Sequence, residues 1–157
     1  MADVSMKTIY KVSEMIKDKT ISASELVEEC LQNTKEKQEE LNAYITLLED
    51  EAREYAKYVD EHPDFEADSP LRGIPIALKD LYNTKGVLTS AGTKFLSHNI
   101  PDNDSVVGVK LREAGTVLMG KTNTHEWAFG PTGENSYYGP TRNPWNPKKI
   151  SGGSSGG

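Results

Sequence analysis

The chain has 157 residues, enough for one ordinary core, and 18 lysines and arginines against 24 aspartates and glutamates give a formal net charge of -6. That acidic balance excludes a broad basic nucleic-acid surface, and 36% hydrophobic with 27% charged residues is a soluble composition. Cys30 is the only cysteine, which excludes an intrachain disulfide or a multi-cysteine metal site and fits a reducing cytoplasm.

The start, Met1 to Lys7, lacks the apolar stretch of a signal peptide, and no apolar run approaches the roughly 20 residues that span a bilayer. A cytoplasmic protein without membrane association is expected. Residues 1–62 read as helical and charged. Ile9, Val12, Met15 and Ile16 recur at helical spacing. Ser22 followed by Glu25 predicts a capping box at the start of a second helix. Leu26, Val27, Cys30 and Leu31 form its apolar stripe, with Cys30 as a core residue, and the Glu/Lys run from Lys35 to Glu40 is a solvated face. Residues 42–48 read as a strand. Residues 50–62 return to helix, with Ala52, Tyr55, Ala56 and Val59 on one face.

Residues 63–70 form a polar loop, and the composition then changes. Residues 71–80 are a short apolar run ending in Lys79 and Asp80. Pro75 removes one amide donor, so this strand should be short, irregular or at an edge. Residues 105–114 predict a helix closed by Gly115, and residues 116–122 a buried strand. Helix, glycine and apolar strand together are a unit of α/β organisation. From Gly130 to Gly157 no helix or strand is expected, so this stretch is either a functional loop system or a segment whose packing partners lie elsewhere.

The run Ile150-Ser151-Gly152-Gly153-Ser154-Ser155-Gly156-Gly157 carries the most chemistry. Its glycines allow positive φ and close approach of backbone to a ligand, successive amides can form an anion-binding nest, and the serines supply hydroxyls for proton relay or attack. The same composition also serves as a flexible linker, and on these eight residues alone the two readings stand level. No Gly-Lys-Ser/Thr follows, so a P-loop is disfavoured. Lys79 follows Ile74, Ile76, Ala77 and Leu78, a setting that could bury it and lower its pKa; the alternative is a surface lysine paired with Asp80 or another acid. His125-Glu126 is half of a zinc-protease motif with no second histidine at the right spacing, so helix start or packing is its expected role. Trp127 and Phe129 are expected in the core or a pocket wall. Tyr137, Tyr138 and Trp145 either line a substrate entrance or pack structurally. Arg142 either meets an acidic substrate group or, as the favoured reading, anchors a loop through an ion pair.

Taken in order, three stretches resemble the amidase signature family: Gly73-Ile74-Pro75-Ile76-Ala77-Leu78-Lys79-Asp80; Ala114-Gly115-Thr116-Val117-Leu118-Met119-Gly120-Lys121-Thr122-Asn123 with Glu126 and Gly130; and Tyr138-Gly139-Pro140-Thr141-Arg142-Asn143-Pro144-Trp145 running on to the Gly/Ser segment. The start around Ile21-Ser22-Ala23-Ser24-Glu25-Leu26-Val27 is also similar, so the resemblance covers nearly the whole chain. It turns the Gly/Ser run from linker to motif. It implies an α/β fold, a mixed β-sheet surrounded by helices, of which residues 1–157 form an incomplete domain: a helical region over 1–62 and the beginning of the catalytic core over 71–157. Alone, such a piece should leave sheet edges and apolar faces uncovered and be marginally stable or aggregation-prone.

The resemblance further implies a Ser–cis-Ser–Lys triad. Lys79 matches the lysine and Ser154 the bridging serine, supported by Gly152, Gly153, Ser155, Gly156 and Gly157. The acylated serine falls in a later Gly-Gly-Ser motif that this sequence does not include, and Ser151 stands where many relatives carry proline. With Ser154 three residues from the end, the Gly153–Ser154 bond is not expected to be held cis. The implied activity is hydrolysis of a small-molecule carboxylic amide to acid and ammonia or amine, with no metal, no organic cofactor and no direct nucleic-acid contact. The alternative within the family is the glutamine-hydrolysing subunit of aspartyl/glutamyl-tRNA amidotransferase, which releases ammonia from glutamine for the other amidotransferase subunits. Residues 124–130 look more like the general amidases, since the amidotransferase chain usually carries Met-Asp-Glu-Phe there. A third reading is an inactive truncated fragment.

Overall fold

Thr8 starts the first helix, α1 (Ile9–Lys17), by accepting the Lys11 amide on its hydroxyl at 3.3 Å, and Val12, Met15 and Ile16 form the buried face. The computed structural model describes residues 7–157; the first six residues, on which the leader reading partly rests, lie outside the described residues. α2 (Ala23–Leu41) begins with the expected reciprocal cap. Ser22 Oγ accepts the Glu25 amide at 3.0 Å, and the Glu25 carboxylate accepts the Ser22 amide at 2.9 Å. α3 (Glu49–Glu61) adds a second cap to the same helix end, where Asp60 takes the amides of Ala23 and Ser24 at 2.8 and 2.9 Å.

Between and after the helices come β1 (Tyr44–Leu47), β2 (Pro75–Lys79), α4 (Val106–Glu113), β3 (Val117–Thr122), β4 (Arg142–Asn143) and β5 (Asn146–Ile150). The chain divides into two compact units. The first comprises Met1–Asn33, Leu48–Ile76 and Lys110–Met119. Its core is Val12, Met15, Ile16, Ile21, Leu26 and Ile74, with Cys30 and Ile76 packed against it. Cys30 thus occupies the expected place, and burial pushes its thiol pKa up. Gly73, at φ 73°, lets the backbone pass where a Cβ would lie 2.9 Å from that of Ala23.

The second unit comprises Thr34–Leu47, Ala77–Val109 and Gly120–Gly157. The strand order is β1-β3-β2. β1 is antiparallel to β3, pairing Tyr44 with Thr122, Thr46 with Lys121 and Leu47 with Gly120 across a bulge. β2 and β3 run in the same direction, since the Val117 amide donates to Ile74 and the Asp80 amide to Thr122. The sheet is therefore mixed, and β2 takes the edge that Pro75 allows.

Three expectations are corrected. Residues 130–157 are not free of strands, because β4 and β5 form an antiparallel hairpin. Asn143 Oδ1 accepts the Trp145 amide at 2.9 Å and Asn146 Oδ1 the Lys148 amide at 3.1 Å, so side-chain turns fold a ribbon that has no apolar alternation to read. Trp127 and Phe129 are not core residues but 53% and 90% exposed, on an irregular turn where Trp127 and Ala128 both have positive φ. Arg142 is exposed and makes no ion pair among the described residues. The helix α4 forms where residues 105–114 predict it but buries no residue, and Val106 is 71% exposed.

Candidate active site

The site lies within the second unit. Lys79 is the last residue of β2, and its carbonyl accepts the amides of Leu81 and Tyr82 at 2.7 and 3.0 Å, so the chain turns immediately beyond it. The side chain is half-buried, and its Nζ donates to Ser154 Oγ at 2.6 Å. Burial holds the Lys79 pKa below its ordinary value of 10.5 by disfavouring the ammonium. The two residues singled out in the sequence as base and bridge, 75 positions apart, are thus in direct hydrogen-bond contact.

The Gly153–Ser154 peptide bond is cis, which corrects the expectation that this segment would not hold it so. The segment is pinned on every side. Ser154 O accepts both the His125 amide and the Thr124 hydroxyl at 2.9 Å. Ser155 bridges to Thr124, and the amides of Gly156 and Gly157 both reach Asn123 O at 3.1 Å. A Cβ on Gly153 would meet the Gly133 amide nitrogen at 2.6 Å, so this glycine is required by space, whereas Gly152, at φ 98° in open surroundings, is required by conformation.

Two buried amide side chains brace these loops, and the sequence patterns single out neither. Asn123 Nδ2 donates to the carbonyls of Asn42 and Gly139 at 3.2 and 3.0 Å, while its Oδ1 accepts the Thr124 amide at 2.8 Å. Asn135 Nδ2 ties Gly92 O to Thr124 O at 2.7 and 2.9 Å, and its Oδ1 accepts the amides of Tyr137 and Tyr138. His125 opens the short turn at Glu126–Ala128, and its ring lies where a Cβ on Gly130 would be, 2.3 Å from Cε1. The ring thus packs against Gly130, one of the two roles expected of it, and makes no capping hydrogen bond. Tyr137 and Tyr138 stack edge to face at 4.8 Å, and burial pushes the Tyr138 phenol up, offset by a hydrogen bond with Ser90. Trp145 is 91% exposed.

The pairing of Lys79 with Asp80 is not realised: Lys79 reaches Ser154, whereas Asp80, just beyond the strand, turns to Lys121. Asp80 is instead fully buried beside an equally buried Lys121, which the sequence patterns also leave unmarked. The available signal was two opposite charges, Asp80 at the end of one apolar run and Lys121 inside another. Lys121 Nζ donates to Tyr82 O at 2.8 Å and to Thr89 Oγ1 at 2.7 Å, and lies 3.5 Å from Asp80 Oδ1. Asp80 Oδ2 accepts both the Ser90 amide, at 2.9 Å, and the Ser90 hydroxyl.

Among solved structures, the fold is that of amide hydrolases. The peptide amidase of Stenotrophomonas maltophilia superposes with a TM-score of 0.89 at 30% identity, over 98% of this chain and 33% of that one. A second amidase gives 0.85 at 37% identity, over 94% and 34%. The chain belongs to the amidase family, whose model matches residues 25–157. It is 42% identical over 151 residues to the glutamyl-tRNA(Gln) amidotransferase A subunit of Streptococcus pneumoniae (strain JJA), covering 96% of this chain and 31% of that protein. It is 43% identical over 150 residues to the protein of the same name from Syntrophus aciditrophicus (strain SB). The chain therefore spans about a third of the length of the curated relatives it matches.

Proposed function

We propose that the protein of which residues 1–157 form the beginning of the catalytic domain hydrolyses small carboxylic amides to acid and ammonia or amine, with Lys79 as base and Ser154 as proton relay. The observation that carries this reading is the 2.6 Å contact between Lys79 Nζ and Ser154 Oγ. A lysine accepts a proton only when neutral, and burial favours that form of Lys79. A serine hydroxyl both donates and accepts, so Ser154 passes to Lys79 the proton it takes from the attacking hydroxyl. That hydroxyl belongs to a serine beyond residue 157. Its oxygen bonds to the amide carbon, the C–N bond breaks, and the departing nitrogen recovers the proton through Ser154. Water then cleaves the ester by the same relay in reverse. Backbone amides of the glycine-rich loops, in this reading, face the developing oxyanion. The 157-residue chain alone has no turnover, the reaction needs no metal or organic cofactor, and the setting is cytoplasmic, without direct nucleic-acid or membrane contact.

The test is kinetic, on the full-length enzyme with simple aryl and alkyl amides. Lys79→Met and Ser154→Ala each lower kcat/KM by about 10²–10⁴-fold, the range of a lost acid–base group. Lys79→Met retaining activity within about tenfold of the parent refutes the assignment.

A second reading rests on the identity of 42% with a glutamyl-tRNA(Gln) amidotransferase chain. Here the amide is that of glutamine and the ammonia passes to a partner protein. Residues 124–130, with His125 and Trp127, favour the free hydrolase. Glutamine hydrolysis stimulated by a copurifying partner, with simple amides left uncleaved, decides for the second reading.

A further inference from the structure

The hydrolytic reading uses Lys79 and Ser154 and leaves the buried charges beside them without a task. Asp80 and Lys121 are both 0% exposed. Neither belongs to an apolar core by chemistry, and a hydrophobic pair of similar volume commonly serves stability as well or better. What the ion pair supplies is direction. Lys121 directs its ammonium at Tyr82 O and Thr89 Oγ1, the two ends of the loop that follows Lys79. Asp80 grips Ser90 by amide and hydroxyl, and its own backbone donates to Thr122 O at 3.1 Å and accepts the Ala91 amide at 2.8 Å. Its Oδ1 accepts no hydrogen bond from the described residues, so the Lys121 charge 3.5 Å away is its partner.

The placement along the strands gives this cluster its leverage. Asp80 directly follows Lys79, the last residue of β2. Lys121 lies on β3, three residues before Thr124, whose hydroxyl and neighbouring amide hold Ser154 O. We propose that the Asp80–Lys121 pair is a positioning device for the acid–base relay: it fastens the strand end bearing Lys79 to the strand whose continuation carries Ser154, and so sets the Lys79–Ser154 contact. The ionisable groups facing the cluster are Asp80 just beyond β2, Lys121 on β3 and, through Ser90, the phenol of Tyr138. Lys79 faces the other side of its strand, where it meets Ser154.

The inference rests on the hydrolytic reading, and the experiment separates the two. In the full-length enzyme, Asp80→Asn keeps the side-chain volume and removes the charge. It lowers kcat about 10²-fold, the scale of an ångström's misplacement, with KM within about threefold. It also moves the rise of kcat/KM with pH to higher pH, because a loosened Lys79 regains water and its pKa climbs. A role confined to stability lowers the melting temperature and the folded fraction but leaves the pH profile of the folded enzyme in place. Thr89→Val, which removes a single Lys121 hydrogen bond, shifts the profile in the same direction by less and serves where Asp80→Asn does not fold. A folded variant with the parent's kcat and pH profile overturns the positioning role, provided Lys79→Met is inactive; an active Lys79→Met overturns the hydrolytic reading itself.

Discussion

Replacing Lys121 by methionine removes one half of a fully buried ion pair while nearly conserving volume. The carboxylate of Asp80 then keeps only Ser90 as a partner, Thr89 Oγ1 loses its donor, and Tyr82 O keeps only the Thr84 hydroxyl. Breaking a buried pair on one side costs about 3–5 kcal/mol, because the remaining charge stays out of water uncompensated. Methionine fills the space, so a cavity adds little. Set against a total stability of about 5–15 kcal/mol, the loss is about a fifth or more for a typical domain. Removing both charges, as Asp80→Leu with Lys121→Met, restores part of it, short of about 1–3 kcal/mol for the orphaned Ser90 amide. Urea denaturation of the full-length protein followed by tryptophan fluorescence measures this as a shift in midpoint at constant slope. A Lys121→Met variant within about 1 kcal/mol of the parent at unchanged slope refutes the argument.

Lys79 has a pKa lowered by burial in the folded state, so between that value and 10.5 the unfolded chain binds the extra proton and stability rises with pH. Lys79→Met removes that rise, and melting temperatures across alkaline pH report it. Ser22→Ala breaks the capping box of α2 and costs about 1 kcal/mol by denaturant titration. At Gly92, with φ 69°, a Cβ would lie 2.6 Å from Asn135 Nδ2 and 3.0 Å from Thr124 O. Gly92→Ala therefore destabilises by about 2 kcal/mol or more, and an unchanged melting temperature contradicts the geometry. Phe95, Phe129 and Trp145 are each at least 85% exposed. The 157-residue chain expressed alone accordingly binds a hydrophobic dye and aggregates, and a cooperative monomeric melt without dye binding shows otherwise.

Local patterns carried most of the elements. Val12, Met15 and Ile16 at helical spacing, the Ser22/Glu25 pair, Gly115 behind its helix and Pro75 at an edge are all governed by neighbours a few residues away, and the structure keeps each of them. The hairpin at residues 142–150 escaped because side-chain turns of asparagine, rather than apolar alternation, hold it. Trp127 and Phe129 escaped because hydrophobic character argues for burial without saying against what.

The sequence by itself determined the helical beginning, the apolar strands, the family through motifs in order, and Lys79 with Ser154 as the pair to watch. Tertiary structure alone decided that these two touch, that Gly153–Ser154 is cis, and that Asp80 turns from Lys79 to Lys121. The physical reason is range. Propensity and periodicity act within a turn or a strand, whereas the partner of a buried charge or hydroxyl is set by which strands lie side by side, and Lys79 meets Ser154 across 75 residues of chain.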